Sequence, residues 1–179
     1  MTQSPPEAYF QIFIPNVEKL ALARAQVDEQ VGMRLRAGGE ITSWEPIRFK
    51  VESGIVTDYL ANSQAFRLCS QLLRDVIDRN QGERDLIQWL PATVTCLDGE
   101  ETMYWVLHFP EVADVTHPLK SIYVSGRLIK PVLDLSRIRG RRVFTLTQYA
   151  PNLVVAADVR RALEKAGCGG IEFSKMPAA

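Results

Sequence analysis

The chain has 179 residues, 46% of them hydrophobic and 23% charged, which suits one domain over 1–179 built on a buried core. Lys plus Arg equals Asp plus Glu at 21 each, so no global field draws the chain to nucleic acid or anionic lipid. The opening stretch over 1–8 lacks a basic start followed by a long apolar run, and nothing later approaches the ~20 apolar residues of a membrane span, so a cytoplasmic protein with no membrane partner is expected.

After a polar, proline-bearing tail over 1–8, Tyr9–Ile14 alternate as a first strand that leaves at Pro15 and Asn16. Leu20, Val27 and Val31 predict an amphipathic helix from Val17 to about Arg36, weakened by Gly32 and broken by Gly38 and Gly39. Trp44 to Val51 predicts a strand with Ile47, Phe49 and Val51 on one face and Arg48 and Lys50 on the other. Cys69 then leads into a helix capped by Ser70, or one starting near Ser63, whose stripe is Leu72, Leu73, Val76 and Ile77. Asn80, Gln81 and Gly82 end it, since glycine tolerates the left-handed backbone of a helix exit. Leu86–Leu90 reads as a strand stopped by Pro91, and Asp98-Gly99 between Ala92–Leu97 and Thr102–Phe109 signals a hairpin. Short strands are predicted at Ser121–Val124, Leu128–Leu133 and Val143–Thr147.

Residues 153–173 read as strand, helix and closing strand, followed by a second tail over 174–179. This unit echoes the earlier one: Cys69 aligns with Val155, Leu73 with Val159, Arg74 with Arg160, Ile77 with Leu163 and Arg79 with Lys165. The fold class is α+β, an antiparallel-rich sheet with two or three packed helices, containing two similar strand-helix-strand units.

Several segments occur in a characteristic order: Arg48–Val51, Asp58–Leu60, Ser70 opening a helix, the Trp89–Pro91 strand end, Tyr104–Leu107 leading to Val112–Asp114, Lys130–Asp134, Val143–Leu146, and the last unit ending Gly170–Phe173. Together they resemble the bacterial polymorphic-toxin immunity proteins of immunity family eleven, formerly a family of unknown function, over roughly Phe49 to Phe173. One departure is local: Ala156 and Ala157 open the second helix where the pattern has a polar cap, leaving Asp158 to favour the backbone dipole. The resemblance implies a cytoplasmic protein that binds and neutralises a cognate protein toxin stoichiometrically, with no catalytic residues and no cofactor. It assigns no contact residue.

The residues themselves offer candidates. His108 and His117 have no Cys, Asp or Glu at ligand spacing that favours a metal over a structural or surface role. The three cysteines lack CxxC spacing and fit reduced thiols. Cys69 and Cys96 read as small core residues, and Cys168 as more exposed among glycines that supply a helix exit. Gly167–Gly170 follows a helix and does not open one, which rules against a phosphate loop. Between 120 and 145, seven basic residues face only Asp134, and Arg137, Arg139, Arg141 and Arg142 form a candidate partner-binding loop, against the alternative of a merely solvated one. Glu83, Asp85, Glu100 and Glu101 form an acidic counterpart that suits a basic toxin such as a nuclease, provided they share a face. Trp44 is the tryptophan expected to be exposed as a binding anchor, with Trp89 and Trp105 in the core. Two other functions stay open. One is a small enzyme or ligand-binding domain whose pocket joins His108 to Asp58 or Glu111. The other is nucleic-acid binding through Arg137–Arg142, which the neutral balance of charge does not favour. Oligomeric state is not fixed by the sequence.

Overall fold

A computed structural model describes residues 8–26, 35–147 and 152–179, and its fold is α+β and mostly antiparallel. After β1 (Tyr9–Phe13), the strands β2 (Leu22–Ala25), β3 (Ile47–Val51), β4 (Tyr59–Asn62), β5 (Leu68–Ser70), β6 (Gln88–Thr95) and β7 (Glu101–His108) close a barrel in the order β2-β3-β6-β7-β5-β4. Helix α1 (Gln71–Asn80) leaves β5 without a linker. A hairpin of β8 (Ile122–Val124) and β9 (Arg127–Lys130) follows. Then β10 (Val143–Phe144), β11 (Leu153–Ala156) and β12 (Glu172–Lys175) join β1 in a four-stranded sheet ordered β10-β11-β1-β12, with α2 (Ala157–Ala166) between β11 and β12.

Two cores result. One fills the barrel with Ala23, Ile47, Phe49, Leu60, Leu68, Leu90, Val94, Tyr104 and Val106. The other lies between the four-stranded sheet, the two helices and the outer wall of the barrel, where Tyr9, Ile12, Val154 and Val155 meet Leu73, Ile77, Val159, Leu163, Tyr59, Cys69 and Leu107.

The two strand-helix-strand segments share a connection. β5 and β6 are each antiparallel to β7, which lies between them, and β11 and β12 are each antiparallel to β1. In the first, Trp105 pairs with Cys69 and Trp89 with Leu107, and the Arg74 guanidinium stacks 3.8 Å from the Trp105 ring and 5.7 Å from that of Trp89. In the second, Phe10 pairs with Val155 and Phe173 with Ile12, and Arg160 stacks 4.4 Å from Phe10 and 5.3 Å from Phe173. Each arginine also meets a carboxylate four residues on, Asp78 or Glu164. The echo in sequence has these local counterparts, while the surroundings differ, one segment being part of a closed barrel and the other of an open sheet.

Several boundaries differ from expectation. The first part of the helix predicted from Val17 is replaced by β2, because Ala21 and Ala23 are buried while Leu22 and Arg24 are exposed, a period-two pattern that tertiary pairing favours over the helix propensity of alanine; residues 27–34 of that prediction lie outside the described part, and 35–37 at its end are helical. Pro91 does not stop a strand: β6 runs through it, since the ladder to β3 begins only at Ala92, where the missing N–H is no longer needed. Leu72 is exposed and leaves the buried stripe to Leu73, Val76 and Ile77. Ser63 does not open the helix, and its hydroxyl accepts the Ala25 N–H. Gly82 is required by close approach, not by a left-handed exit: a Cβ there would lie 2.3 Å from the Gly140 carbonyl oxygen. Cys96 sits half-buried at the turn between β6 and β7, not in a core. The stretch over 174–179, expected as a tail, supplies the end of β12, the buried Met176, and the Pro177 and Ala179 carbonyls that accept the Leu133 and Leu135 N–H groups. Residues 1–7 of the other expected tail lie outside the described part.

Ser70 caps α1 by accepting the Leu73 N–H at 3.2 Å, and its hydroxyl donates to Asp58 at 2.5 Å. Ser70→Ala is expected to lower stability by about 1–2 kcal/mol, read from urea unfolding.

Candidate functional site

The basic loop is folded against its own acids. Arg137 holds Asp114 through two contacts of 3.1 and 3.0 Å and lies 3.5 Å from Asp134. Arg141 is buried at 8% exposure, donates to the Arg84 carbonyl and pairs with Glu111 at 2.9 Å. Arg142 pairs with Asp158 at 2.9 Å, which ties the loop to the first turn of α2. Arg139 is exposed, as is Arg137, and its carbonyl accepts from Arg84. The sequence count of one opposing acid fails in space, because Glu111, Asp114 and Asp158 arrive from other segments. A shallow cleft of about 430 Å³ is lined by Arg84, Glu111, Val112, Asp114, Arg137 and Arg141, so its charges are largely compensated from within.

The acidic set divides as well. Asp85 is half-buried and accepts the backbone N–H groups of Gly82, Arg142 and Val143, a structural post and not a contact surface. Burial holds its carboxyl above the ordinary carboxylate range against those hydrogen bonds. Glu83 is exposed nearby, whereas Glu100 and Glu101 lie beyond the opposite end of β6, about 23 Å away over eight residues, and Glu101 pairs with Arg48. They do not form one face with Glu83. Trp44, expected to be exposed, is half-buried: its indole N–H donates to the Pro91 carbonyl at 2.8 Å and its ring packs on the barrel core. Trp89 and Trp105 are half-buried over the outer barrel wall, with indole N–H groups donating to Asp78 and Gln71 of α1.

The elements proposed for a pocket are each engaged elsewhere. His108 is buried, with Nε2 at 2.7 Å from the Gly39 carbonyl. Asp58 accepts from Ser70 and from the Gly169 N–H, and Glu111 accepts from Arg141. Burial pushes the Cys69 thiol well up and that of Cys168 up to about 11, which disfavours thiolate at either. Among the described residues, no three of His, Cys, Asp and Glu converge as metal ligands, and no helix is long and apolar enough to cross a membrane.

A surface not singled out by sequence is the hairpin β8–β9. It is rooted where Thr116 bridges the buried Leu133 and where the His117 N–H bonds the Val132 carbonyl. Its tip is a two-residue turn with positive φ at Ser125 and Gly126, the pattern that matches hairpin twist. Leu119 is 91% exposed, Ile129 61%, Val124 56% and Ile122 50%, a concentration of apolar side chains in water that single scattered residues do not explain. Its strands are too short to alternate cleanly. The available signal was Ile122, Tyr123 and Val124 in succession, apolar on both faces of a short strand.

No family model and no curated protein matches the chain.

Two measurements follow from these placements. Asp85→Ala leaves three backbone donors without their acceptor and is expected to cost on the order of 3 kcal/mol in chemical denaturation. Burial lowers the His108 pKa, so the unfolded chain takes up the proton first. Stability from this group is full above the unfolded value of about 6.5 and is lost as pH falls through the folded one. His108→Gln should flatten the decline in melting temperature below that pH.

Proposed function

We propose that this chain is an immunity-type protein that binds one cognate bacterial toxin in the cytoplasm and neutralises it by stoichiometric occupation, with the β8–β9 hairpin at the contact. The observation that carries this reading is the group of exposed apolar side chains on and beside a hairpin whose Leu128 rests on the inter-layer core. Its resemblance to immunity family eleven over the region from about Phe49 to Phe173 supports the toxin as the kind of partner, and the engagement of Arg137, Arg141, Arg142 and Asp85 within the fold moves the contact away from those residues. Covering one half-exposed Ile or Val adds roughly 1 kcal/mol. Four such residues therefore offer a gross gain on the order of 4–5 kcal/mol, enough to anchor an interface but not to complete one after the cost of association.

Co-expression with a candidate cognate toxin tests the reading. Restored growth of the host and a stoichiometric complex on gel filtration are the expected results. Persistent toxicity with no complex at micromolar concentrations would reject it.

A further inference from the structure

We infer that the outer edge of β9 takes an extended, acidic segment of the partner as an added strand. This deepens the toxin-binding reading above and rests on it.

The backbone carries the first part of the argument. β8 and β9 form a two-stranded sheet, and among the described residues Arg127–Lys130 pair only with β8. Farther along the same chain segment, the same edge already accepts an extended segment: Leu133 bridges Ala178 in parallel, the Leu133 N–H donates to Pro177, and Ala179 exchanges hydrogen bonds with Leu133 and Leu135. That segment covers Leu133 and Leu135, while Arg127, Ile129 and Lys130 are exposed. An unpaired strand edge is a template for a further strand, and main-chain hydrogen bonds give such additions their affinity.

Side chains then set the chemistry. Residues paired in register share a face, so Val124 with Arg127 lie on one side and Tyr123 with Leu128 on the other, and an irregularity that leaves Ile129 as an extra residue in β9 returns Lys130, opposite Ile122, to the side of Arg127. Leu128 rests on the inter-layer core, which makes the Arg127 and Lys130 side the outward one. A strand laid beside β9 places alternate side chains next to Leu128 and next to Arg127 and Lys130. Two acidic residues set to meet Arg127 and Lys130, with an apolar residue between them opposite Leu128, satisfy both rows. From Val115 to Leu133 the chain has Lys120, Arg127 and Lys130 and no Asp or Glu, and the flanking Asp114 and Asp134 are both held by Arg137. The cations at this edge therefore favour a carboxylate-bearing strand and disfavour a second copy of the same edge, which would set like charges together.

The experiment uses the full chain, the candidate toxin from the co-expression test as probe, and the double variant Arg127→Glu/Lys130→Glu. Titration calorimetry should show the double variant binding about 100-fold more weakly, with Lys50→Glu on the exposed side of β3 as an unaffected control. Hydrogen exchange of the amides over 127–130 should slow in the wild-type complex. Equal affinity of the double variant, or unchanged exchange over 127–130 in a formed complex, overturns the strand addition while leaving toxin binding intact. A wild-type chain that neither binds nor protects overturns the toxin reading and this one with it. A wild-type dimer in sedimentation that the double variant abolishes assigns the edge to a second copy and also overturns the proposal.

Discussion

The carboxylate of Asp58 is the joint on which the two halves of the molecule depend. One oxygen takes the Ser70 hydroxyl at 2.5 Å, and the other takes the Gly169 N–H at 2.7 Å. Its backbone carbonyl also accepts the Ser70 N–H, and the adjacent Tyr59 N–H reaches the Gly169 carbonyl. A single short stretch thereby fixes the start of α1 and the exit from α2. The approach is close enough that a Cβ at Gly170, where φ is +76°, would lie 2.2 Å from the Thr57 hydroxyl oxygen. With these ends fixed, the two helices lie together over the shared core and the four-stranded sheet is held against the barrel wall.

The stacked arginines act at the next level. Arg74 and Arg160 each lay a guanidinium over two rings from neighbouring strands and hold a carboxylate of their own helix. A cation over an aromatic face contributes on the order of 0.5–2 kcal/mol, more as it is withdrawn from water. Their larger effect is geometric: each sets the rotation of its helix over the strands it crosses. This also explains why Trp89 and Trp105 are half-buried and not fully in the core, since their faces are occupied by a charged side chain.

What the sequence made legible was governed by local rules. The Asp98-Gly99 hairpin, the alternation of Ile47, Phe49 and Val51, the Ser70 cap and the closing strand-helix-strand segment depend on neighbours in the chain, and all are found. The errors lie where distant partners decide. Ala23 becomes a strand residue, with Ala21 buried just before it, because β3 and β4 pair with it from distant parts of the chain, and Pro91 is tolerated because a parallel neighbour begins one residue later. The candidate charges failed for the same reason: Arg141, Arg142 and Asp85 are taken up by Glu111, Asp158 and the backbone N–H groups of Arg142 and Val143, all more than ten residues away in sequence. The hairpin surface was visible only as an apolar run, and exposure is a property of what does not pack on it.

The strands β4, β5 and β7 have a further consequence. Along each, successive residues enter different cores: Leu60, Leu68, Tyr104 and Val106 point into the barrel, while Tyr59, Cys69 and Leu107 face the sheet and helices. These strands are a party wall between two rooms. Loss of either interior strips one face of the same wall and exposes apolar surface that the other interior alone cannot keep ordered. The chain, although it has two cores, is thereby built to unfold as one cooperative unit, with its most protected amides along the strands that both cores share.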